Sequence, residues 1–241
     1  LPQPGDVQYA DQLGVDVYQI LLAEIALQRG DLELATKAYS DLALRTREPK
    51  VLERTIEVAG FARRYDLALE TTRLWLDIEP GSKRAEQLLT SVMIMANQLE
   101  DLAPHLVRMI EAEKASLGAS LLGLNRMLAR NPDRQAVFRL IDKVCRPFLG
   151  VPEAHYAVAM AASSASVFER ALAEVGRALE LRPDWEMAAL LKAQVLSRAS
   201  PSGATVFLQG FVERNPKARD AQLNLARGLV GGERYAEARH H

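Results

Sequence analysis

The stretch VFERALAEVGRALELRP, residues 167–183, sets the fold that we expect for the whole chain. It predicts one helix in which Ala171 is followed four residues later by Val175. Pro183 ends that helix, because proline lacks an amide hydrogen and clashes with the preceding turn. A small side chain at position 171 lets a second helix approach closely, and the larger residue one turn on fills the space beside it. The stretch is therefore expected to be one half of a tightly packed antiparallel helix pair.

The same arrangement recurs along the chain at intervals of 33 to 35 residues, with one doubled interval of 68 residues that contains Leu102 at its middle. A larger residue follows four positions after most of the small ones, and a proline follows several of the predicted helices. The small positions are Ala35, Ala68, Ala136, Ala171, Ala204 and Ala238, the larger ones are Tyr39, Thr72, Leu106, Leu140, Val175 and Leu208, and the prolines are Pro80, Pro183 and Pro216.

This pattern resembles the tetratricopeptide repeat, in which small residues lie where two antiparallel helices touch. The resemblance implies an all-α fold, a right-handed superhelical solenoid of antiparallel helix pairs with about six full repeats and a truncated seventh. Residues 1–15 are expected to be an N-terminal linker. The predicted units are 16–48, 49–82, 83–116, 117–151, 152–184, 185–218 and an incomplete 219–241. Because the chain stops one position before the larger residue expected after Ala238, a fragment of a longer protein is favoured.

Two places depart from the regular pattern. Pro104 is compatible with its helix only in the first turn, where no amide hydrogen is needed. The stretch CRPFLGVPEAH, residues 145–155, contains two prolines and a glycine, so that a bend is most expected there.

Composition excludes several classes of function. The 241 residues include 30 basic and 31 acidic side chains, which leaves a formal charge of −1 and no field that would attract nucleic acid. The longest weakly polar run is too short to cross a bilayer. The single cysteine, Cys145, excludes an internal disulfide and is expected to pack in a helix interface. The four histidines, His105, His155, His240 and His241, are too dispersed for a metal site.

Function is expected on the inner wall of the superhelix, which the first helix of each pair lines and which forms a concave groove suited to a peptide or a partner helix. Phe61 and Tyr156 are expected to be the strongest anchors, because aromatic side chains bury a large area at little cost in rotamer freedom. The repeat register places these residues on the wall: Glu24, Leu27, Glu57, Phe61, Gln87, Ile94, Leu121, Asn125, Leu128, Tyr156 and Met160.

Glu24 and Glu57 are one repeat apart and are expected to lie side by side on neighbouring helices. Paired carboxylates can perform acid and base chemistry. Here no nucleophile or set of oxyanion donors accompanies them, so we interpret them as solvated groove residues that bind a basic or amide-rich ligand. We therefore expect no enzyme activity, no metal and no cofactor.

Repeat proteins that grip acidic chaperone tails resemble one another in a clamp of lysines, arginine and asparagines on adjacent first helices. Only Asn125 occupies a matching position in this sequence. The equivalent positions of the first two units hold Ile20, Glu24, Glu53 and Glu57, which would repel an acidic tail. This class of partner is therefore discarded.

Residues 18–82 resemble more than a general repeat. The phrases LLAEIALQRGDLELA (21–35), RTREPKVLER (45–54) and ALETTRLWLDIEPGS (68–82) are similar to the opening repeats of a family of proteobacterial outer-membrane lipoproteins that are periplasmic in their bulk. A pseudomonad relative of this kind is an adaptor for a carboxyl-terminal processing protease that degrades cell-wall hydrolases. The resemblance implies a periplasmic scaffold, tethered by a lipid upstream of residue 1, that binds a protease, a peptidoglycan-processing enzyme or another envelope component.

Two other interpretations of the sequence stay open. One is a cytoplasmic peptide-binding repeat protein, and the other is a regulatory repeat domain cut from a larger enzyme. A leader with a lipid-accepting cysteine in the full-length gene product would favour the envelope scaffold, and a catalytic domain downstream would favour the regulatory domain.

Overall fold

The computed structural model describes the backbone of residues 4–231 and the side chains of residues 12–231. This part of the chain contains thirteen α-helices, two short 3-10 turns and no strand, which confirms the all-helical prediction. The helices are α1 (Pro4–Gln28), α2 (Leu32–Thr46), α3 (Pro49–Phe61), α4 (Tyr65–Ile78), α5 (Lys83–Met95), α6 (Ala103–Ala112), α7 (Leu117–Met127), α8 (Arg134–Cys145), α9 (Pro152–Ser164), α10 (Phe168–Leu181), α11 (Glu186–Ala199), α12 (Pro201–Arg214) and α13 (Arg219–Gly231).

The turn between the two helices of a pair has the same backbone geometry four times. One residue adopts a left-handed conformation, with φ of 77° at Gly30, 57° at Arg63, 57° at Asn97 and 61° at Ser166. The next amide then donates to the carbonyl five residues before it, at 2.8 to 2.9 Å. This arrangement satisfies carbonyl groups that a helix end would otherwise leave unpaired. The repeat is thus visible in the backbone even where the sequence carries no glycine.

Prolines and capping side chains set the helix boundaries. The helices α4, α10 and α12 each end two residues before the predicted proline, Pro80, Pro183 or Pro216. Asp31 accepts a hydrogen bond from the amide of Leu34 at 3.1 Å and so caps the start of α2. Pro104 lies in the first turn of α6, the one position where the sequence made it acceptable.

The small and larger positions of the repeat lie in the core. Ala35, Ala68 and Ala171 are fully buried and Ala204 is 6% exposed, whereas Ala136 is half-buried. All six of the larger residues that follow them are buried. Ala238 lies outside the described residues. The register read from the sequence therefore describes how the second helices pack.

Residues up to Gln98 and residues from Leu99 onward form two compact units, which are described separately here. The first unit contains α1 to α5, and its core includes Ala23, Ala26 and Val58. The second contains α6 to α13, and its largest clusters surround Val175 and Phe211. The division falls between α5 and α6, inside the predicted unit 83–116.

Two sequence-based expectations concern segments outside the regular helix pairs. Residues 4–15, which were expected to be part of an N-terminal linker, belong to α1. The bend expected at residues 145–155 falls where the helix is interrupted, because a 3-10 turn over Arg146–Phe148 separates α8 from α9. Within the second unit α9 packs on both α7 and α8, and Gln135 Nε2 donates to the Ala165 carbonyl at 2.7 Å, which ties the start of α8 to the end of α9.

Candidate protein-binding site

The first unit presents a surface that we call the α1–α3–α5 wall. It is formed by residues on the first helices of three consecutive pairs, namely Glu24, Leu27, Arg54, Glu57, Phe61, Gln87, Ile94 and Met95. Six of these eight were predicted from the repeat register. Arg54 and Met95 were not.

Phe61 dominates the apolar part of this wall. It is the last residue of α3, its relative exposure is 71%, and the left-handed turn at Arg63 follows it directly. Met95, at the end of α5, is 49% exposed, and its methyl group would lie 3.8 Å from a Cβ placed on Gly60. Met95 therefore covers the helix turn next to Phe61. Leu27 and Ile94 are half-buried, and Gln87 is exposed.

Glu24 and Glu57 are joined by an arginine that the sequence analysis overlooked. Arg54 Nε and Nη2 donate to the two carboxylate oxygens of Glu24 at 2.9 and 3.1 Å, and Nη1 donates to Glu57 at 3.0 Å. The hydroxyl of Tyr39 donates to Glu24 as well. The interpretation of the two carboxylates as solvated residues that bind a basic or amide-rich ligand did not include this arginine, whose guanidinium binds both of them.

The hydrogen bonds shift the titration of this cluster. Arg54, and then the Tyr39 hydroxyl, hold the pKa of the Glu24 carboxyl below its usual range. Burial, together with the hydrogen bond to Glu24, raises the pKa of Tyr39 to about 12. Contact with Glu24 and Glu57 raises the pKa of Arg54. The three groups therefore keep fixed charges across the physiological range and act as a structural link between α1, α2 and α3.

A second ion pair continues the link to α5. Arg84 Nε lies 2.6 Å from a carboxylate oxygen of Glu53, and both side chains are partly exposed. The spacing of 30 or 31 residues between each arginine and its acid was the sequence signal that could have identified both pairs, since it is close to one repeat.

In the second unit the predicted wall residues have a different role. Leu121 and Leu128 are completely buried, and Tyr156 is 8% exposed with its ring 4.9 Å from that of Trp185. Burial raises the pKa of the Tyr156 hydroxyl. Met160 packs against the same cluster. The prediction that these side chains face solvent is wrong for Leu121, Leu128 and Tyr156, which are buried in the second unit, where α9 packs on α7 and contacts α11.

Asn125 also serves the stack rather than a ligand. Its Nδ2 atom donates to the carbonyl of Ala157 at 2.9 Å, which ties α7 to α9. Asn125, the one residue that matched a chaperone-tail clamp, therefore makes its hydrogen bond within the chain.

The described residues offer no group of three or more metal-binding side chains, and no described helix has the length and apolarity to cross a bilayer. His155 Nδ1 lies 2.6 Å from Glu174, and its Nε2 lies 2.9 Å from the carbonyl of Leu149. Trp75 is buried, and its indole nitrogen donates to Glu79 at 2.7 Å. His240 and His241 lie outside the described residues.

Comparison with known proteins gives one curated relative. A TPR repeat-containing protein of Pseudomonas aeruginosa is 27% identical to this chain over 97 residues, which are 40% of the chain. The matched segment spans 16% of the length of that relative. No family model matches the chain. The helix pairs and this match together support a protein built of tetratricopeptide repeats, and proteins of this fold are in general scaffolds for protein interactions.

Several solved structures have a similar succession of helices. The C-terminal part of a TPR repeat-containing protein from Cytophaga hutchinsonii has a TM-score of 0.46 at 13% identity, covering 89% of this chain and 86% of that one. A thermophilic TPR protein of Thermus thermophilus has a TM-score of 0.36 at 13% identity, with 89% and 99% covered. YrrB, described as a TPR protein with an unusual peptide-binding site, has a TM-score of 0.39 at 17% identity, with 77% and 96% covered.

Proposed function

We propose that this chain is a non-enzymatic scaffold of the bacterial cell envelope that binds a protein partner through the α1–α3–α5 wall. The partner is a periplasmic protease, a peptidoglycan-processing enzyme or another envelope component. The observation that carries the proposal is the exposure of Phe61 beside Met95 at the ends of two neighbouring first helices.

A large aromatic side chain that is 71% exposed gains little from its own fold. Burial against a partner would remove it from water, which contributes about 25 cal/mol for each Å² of apolar surface. Met95 lies against Gly60, the residue before Phe61, so that one partner surface can contact both side chains. Aromatic residues at such positions are typical binding hot spots.

The charged residues of the wall support an apolar rather than an electrostatic contact. Glu24 and Glu57 are already bound to Arg54, and Glu53 is bound to Arg84. A basic ligand would have to displace an existing ion pair, which cancels most of the gain. The partner is therefore expected to offer an apolar side chain to Phe61 and polar groups around it.

The envelope location rests on the resemblance of residues 18–82 to periplasmic lipoproteins. A direct test is fractionation of cells that express the full-length gene product with a carboxyl-terminal tag. Digestion by external protease after the outer membrane is opened would support a periplasmic site. Protection until the inner membrane is lysed would favour the cytoplasmic peptide-binding protein, and a tagged product with a catalytic domain would favour the regulatory domain.

The binding site is tested with Phe61→Ala and a matched control. Leu44→Ala removes an apolar side chain that is 65% exposed on a second helix, α2, away from the wall. Both variants are expected to keep the helical circular-dichroism spectrum of the parent. Partner capture from envelope extract, quantified by mass spectrometry, should fall with Phe61→Ala by a factor of about 30, the usual effect of losing a hot spot of 2 kcal/mol.

Leu44→Ala should capture the same partner at the level of the parent chain. Equal capture by the parent and by Phe61→Ala would show that the partner binds elsewhere. Loss of capture with both variants would indicate a non-specific apolar contact. The buried Tyr156 is no suitable target for this test, because its truncation would damage the core of the second unit.

A further inference from the structure

A groove of about 670 Å³ lies in the second unit between α8 and α10. Its floor is formed by α9, which contributes His155 and Val158, and its sides carry charged residues of the two flanking helices. We call it the α8–α10 groove. The α8–α10 groove lies between two second helices of the second unit, with α9 as its floor. The α1–α3–α5 wall consists of residues on first helices of the first unit.

The carboxylates of this groove have no free oxygen. Arg170 Nη2 lies 2.9 Å from one oxygen of Asp142, and Arg146 Nη2 lies 3.2 Å from the other. Arg170 Nη2 also lies 2.9 Å from one oxygen of Glu174, whose second oxygen lies 2.6 Å from His155. Each of the four carboxylate oxygens thus already faces a nitrogen partner.

His155 is equally committed. One ring nitrogen faces the carboxylate of Glu174, and the other faces the backbone carbonyl of Leu149 at 2.9 Å. Neither ring nitrogen remains available to a ligand. The buried floor of the groove is therefore a connected network in which every carboxylate oxygen and both imidazole nitrogens already have a partner.

The rim of the groove, by contrast, carries arginine N–H donors that are not used in the contacts of the described residues. A guanidinium carries five N–H groups. In the contacts of the described residues, Arg146 binds only Asp142 through one terminal nitrogen, and Arg177 binds only Glu180 through another. Their side chains are 71% and 66% exposed. Arg170 uses a single terminal nitrogen for both of its carboxylates.

Apolar side chains line the groove beside these arginines. Phe138 and Val167 form part of its sides, and Leu149, at the rim, is 48% exposed. The volume is within the range of about 300 to 1,000 Å³ that is usual for ligand sites. A ligand that fits must therefore combine hydrogen-bond acceptors of negative charge with an adjacent apolar group.

We propose that the α8–α10 groove binds an extended peptide segment of a protein partner in which a carboxylate lies next to an apolar side chain. The carboxylate receives hydrogen bonds from Arg146 and Arg177, and the apolar side chain packs against Phe138, Leu149 and Val167. Charge complementarity is the basis of this assignment, because three arginines line the groove and its two carboxylates are already bound. The formal charge of −1 of the whole chain disfavours a nucleic acid in the same place.

The test measures the binding of three acetylated, amidated fluorescent peptides to the full chain by fluorescence anisotropy. In the first peptide glutamate alternates with leucine, in the second glutamine replaces glutamate, and in the third serine replaces leucine. The first peptide is expected to bind saturably, and each of the others should bind at least about tenfold more weakly, as expected for the loss of a charged hydrogen bond or of a buried leucine.

The protein variants identify the site. Arg146→Gln with Arg177→Gln should weaken binding of the first peptide at least about tenfold, and Arg177→Gln alone, an exposed change that leaves the floor intact, should weaken it measurably. Arg139→Gln is the matched control, because Arg139 is exposed on α8 but does not line the groove. Circular dichroism of each variant verifies the fold.

Several results would overturn the proposal. They include the absence of saturable binding by the first peptide, equal binding of the glutamine peptide, equal loss of affinity in Arg139→Gln, and loss of binding in Phe61→Ala with the groove variants unaffected. The last result would place the peptide on the α1–α3–α5 wall. Equal binding of the serine peptide would also contradict the apolar contact and reduce the site to general attraction between charges.

Discussion

Arg54 changes the interaction between two neighbouring carboxylates, those of Glu24 and Glu57. Without it, Glu24 and Glu57 would be two carboxylates that repel each other on adjacent helices. With it, three helices are joined by one guanidinium and by the hydroxyl of Tyr39. The side chains of this cluster remain partly exposed, so the contribution to stability is expected to be modest.

Replacement of Arg54 by glutamine should raise the pKa of Glu24 toward its usual value of 4.5. A carboxylate with a lowered pKa in the folded state adds stability that is fully present above the unfolded pKa and is lost as the pH falls through the folded pKa. We therefore expect Arg54→Gln to lower the free energy of unfolding by about 0.5–1 kcal/mol at pH 7 and by less at pH 3. Urea unfolding at the two pH values measures this difference.

Arg73→Gln provides the control for that experiment, because Arg73 is exposed on α4 and is not part of the cluster. It should leave the pH dependence of unfolding and the Glu24 titration unchanged. An NMR titration in which Glu24 keeps its lowered pKa in Arg54→Gln would contradict the interpretation.

Cys145 differs from Arg54 in that its surroundings are those of the buried core. It is completely buried at the end of α8, as the sequence predicted for a cysteine in a helix interface. Burial, reinforced by the negative charges of Asp142 and Glu174, raises the pKa of its thiol to about 12. The reactive thiolate is therefore scarce at neutral pH.

We expect iodoacetamide at pH 8 to modify Cys145 at least about a hundredfold more slowly in the folded chain than in urea, because the folded thiol is both protonated and inaccessible. Mass spectrometry of the intact protein over time gives both rates. Similar rates in the two conditions would show that the end of α8 opens readily.

At the scale of elements, the close contact between paired helices depends on the small positions of the repeat. Ala171 on α10 packs in the cluster that contains Val175 and Ala178, and Ala204 on α12 packs in the cluster that contains Phe211. The helices approach closely because alanine adds no more than a methyl group at these points. Larger side chains would force them apart.

Ala171→Leu and Ala204→Leu should each lower the free energy of unfolding by about 1–3 kcal/mol through overpacking. Ala173→Leu is a matched control, because Ala173 is exposed on the same helix as Ala171. It should change stability by less than about 0.5 kcal/mol. Thermal unfolding of the three variants tests the register, and a neutral effect at both buried positions would show that it is displaced.

At the scale of the whole molecule, the chain combines two compact units built from the same kind of helix pair. Each unit has its own buried clusters and its own candidate surface, the α1–α3–α5 wall in the first and the α8–α10 groove in the second. In helical-repeat proteins each repeat contacts mainly its neighbours, so stability is a sum of local terms.

The far-UV circular-dichroism spectrum should accordingly be that of a strongly helical protein, with no sizeable strand signal. This follows from the described residues, which contain helices and turns and no strand. A measured strand fraction well above the error of the method would contradict the fold. Phe61→Ala, Arg54→Gln and Ala173→Leu should each leave the spectrum unchanged, because none of them removes a buried core side chain.

The sequence by itself determined the fold class and the register of the second helices. Alanine at position 171, a larger residue one turn later and a proline after the helix act through local sterics, so their spacing can be read without coordinates. The same local rule placed Pro104 in a first helical turn. The repeat register also placed Phe61 on the solvent-facing wall, where its side chain is exposed.

Only the tertiary structure decided which wall residues face solvent and which charges are paired. Tyr156 and Leu121 occupy the same register position as the exposed Gln87 of the first unit, yet both are buried. The bonds of Arg54 to Glu24 and of Arg170 to Asp142 join residues 30 and 28 positions apart. Such contacts depend on the distance and angle between helices, and these are set by the packing of the whole unit rather than by any local pattern.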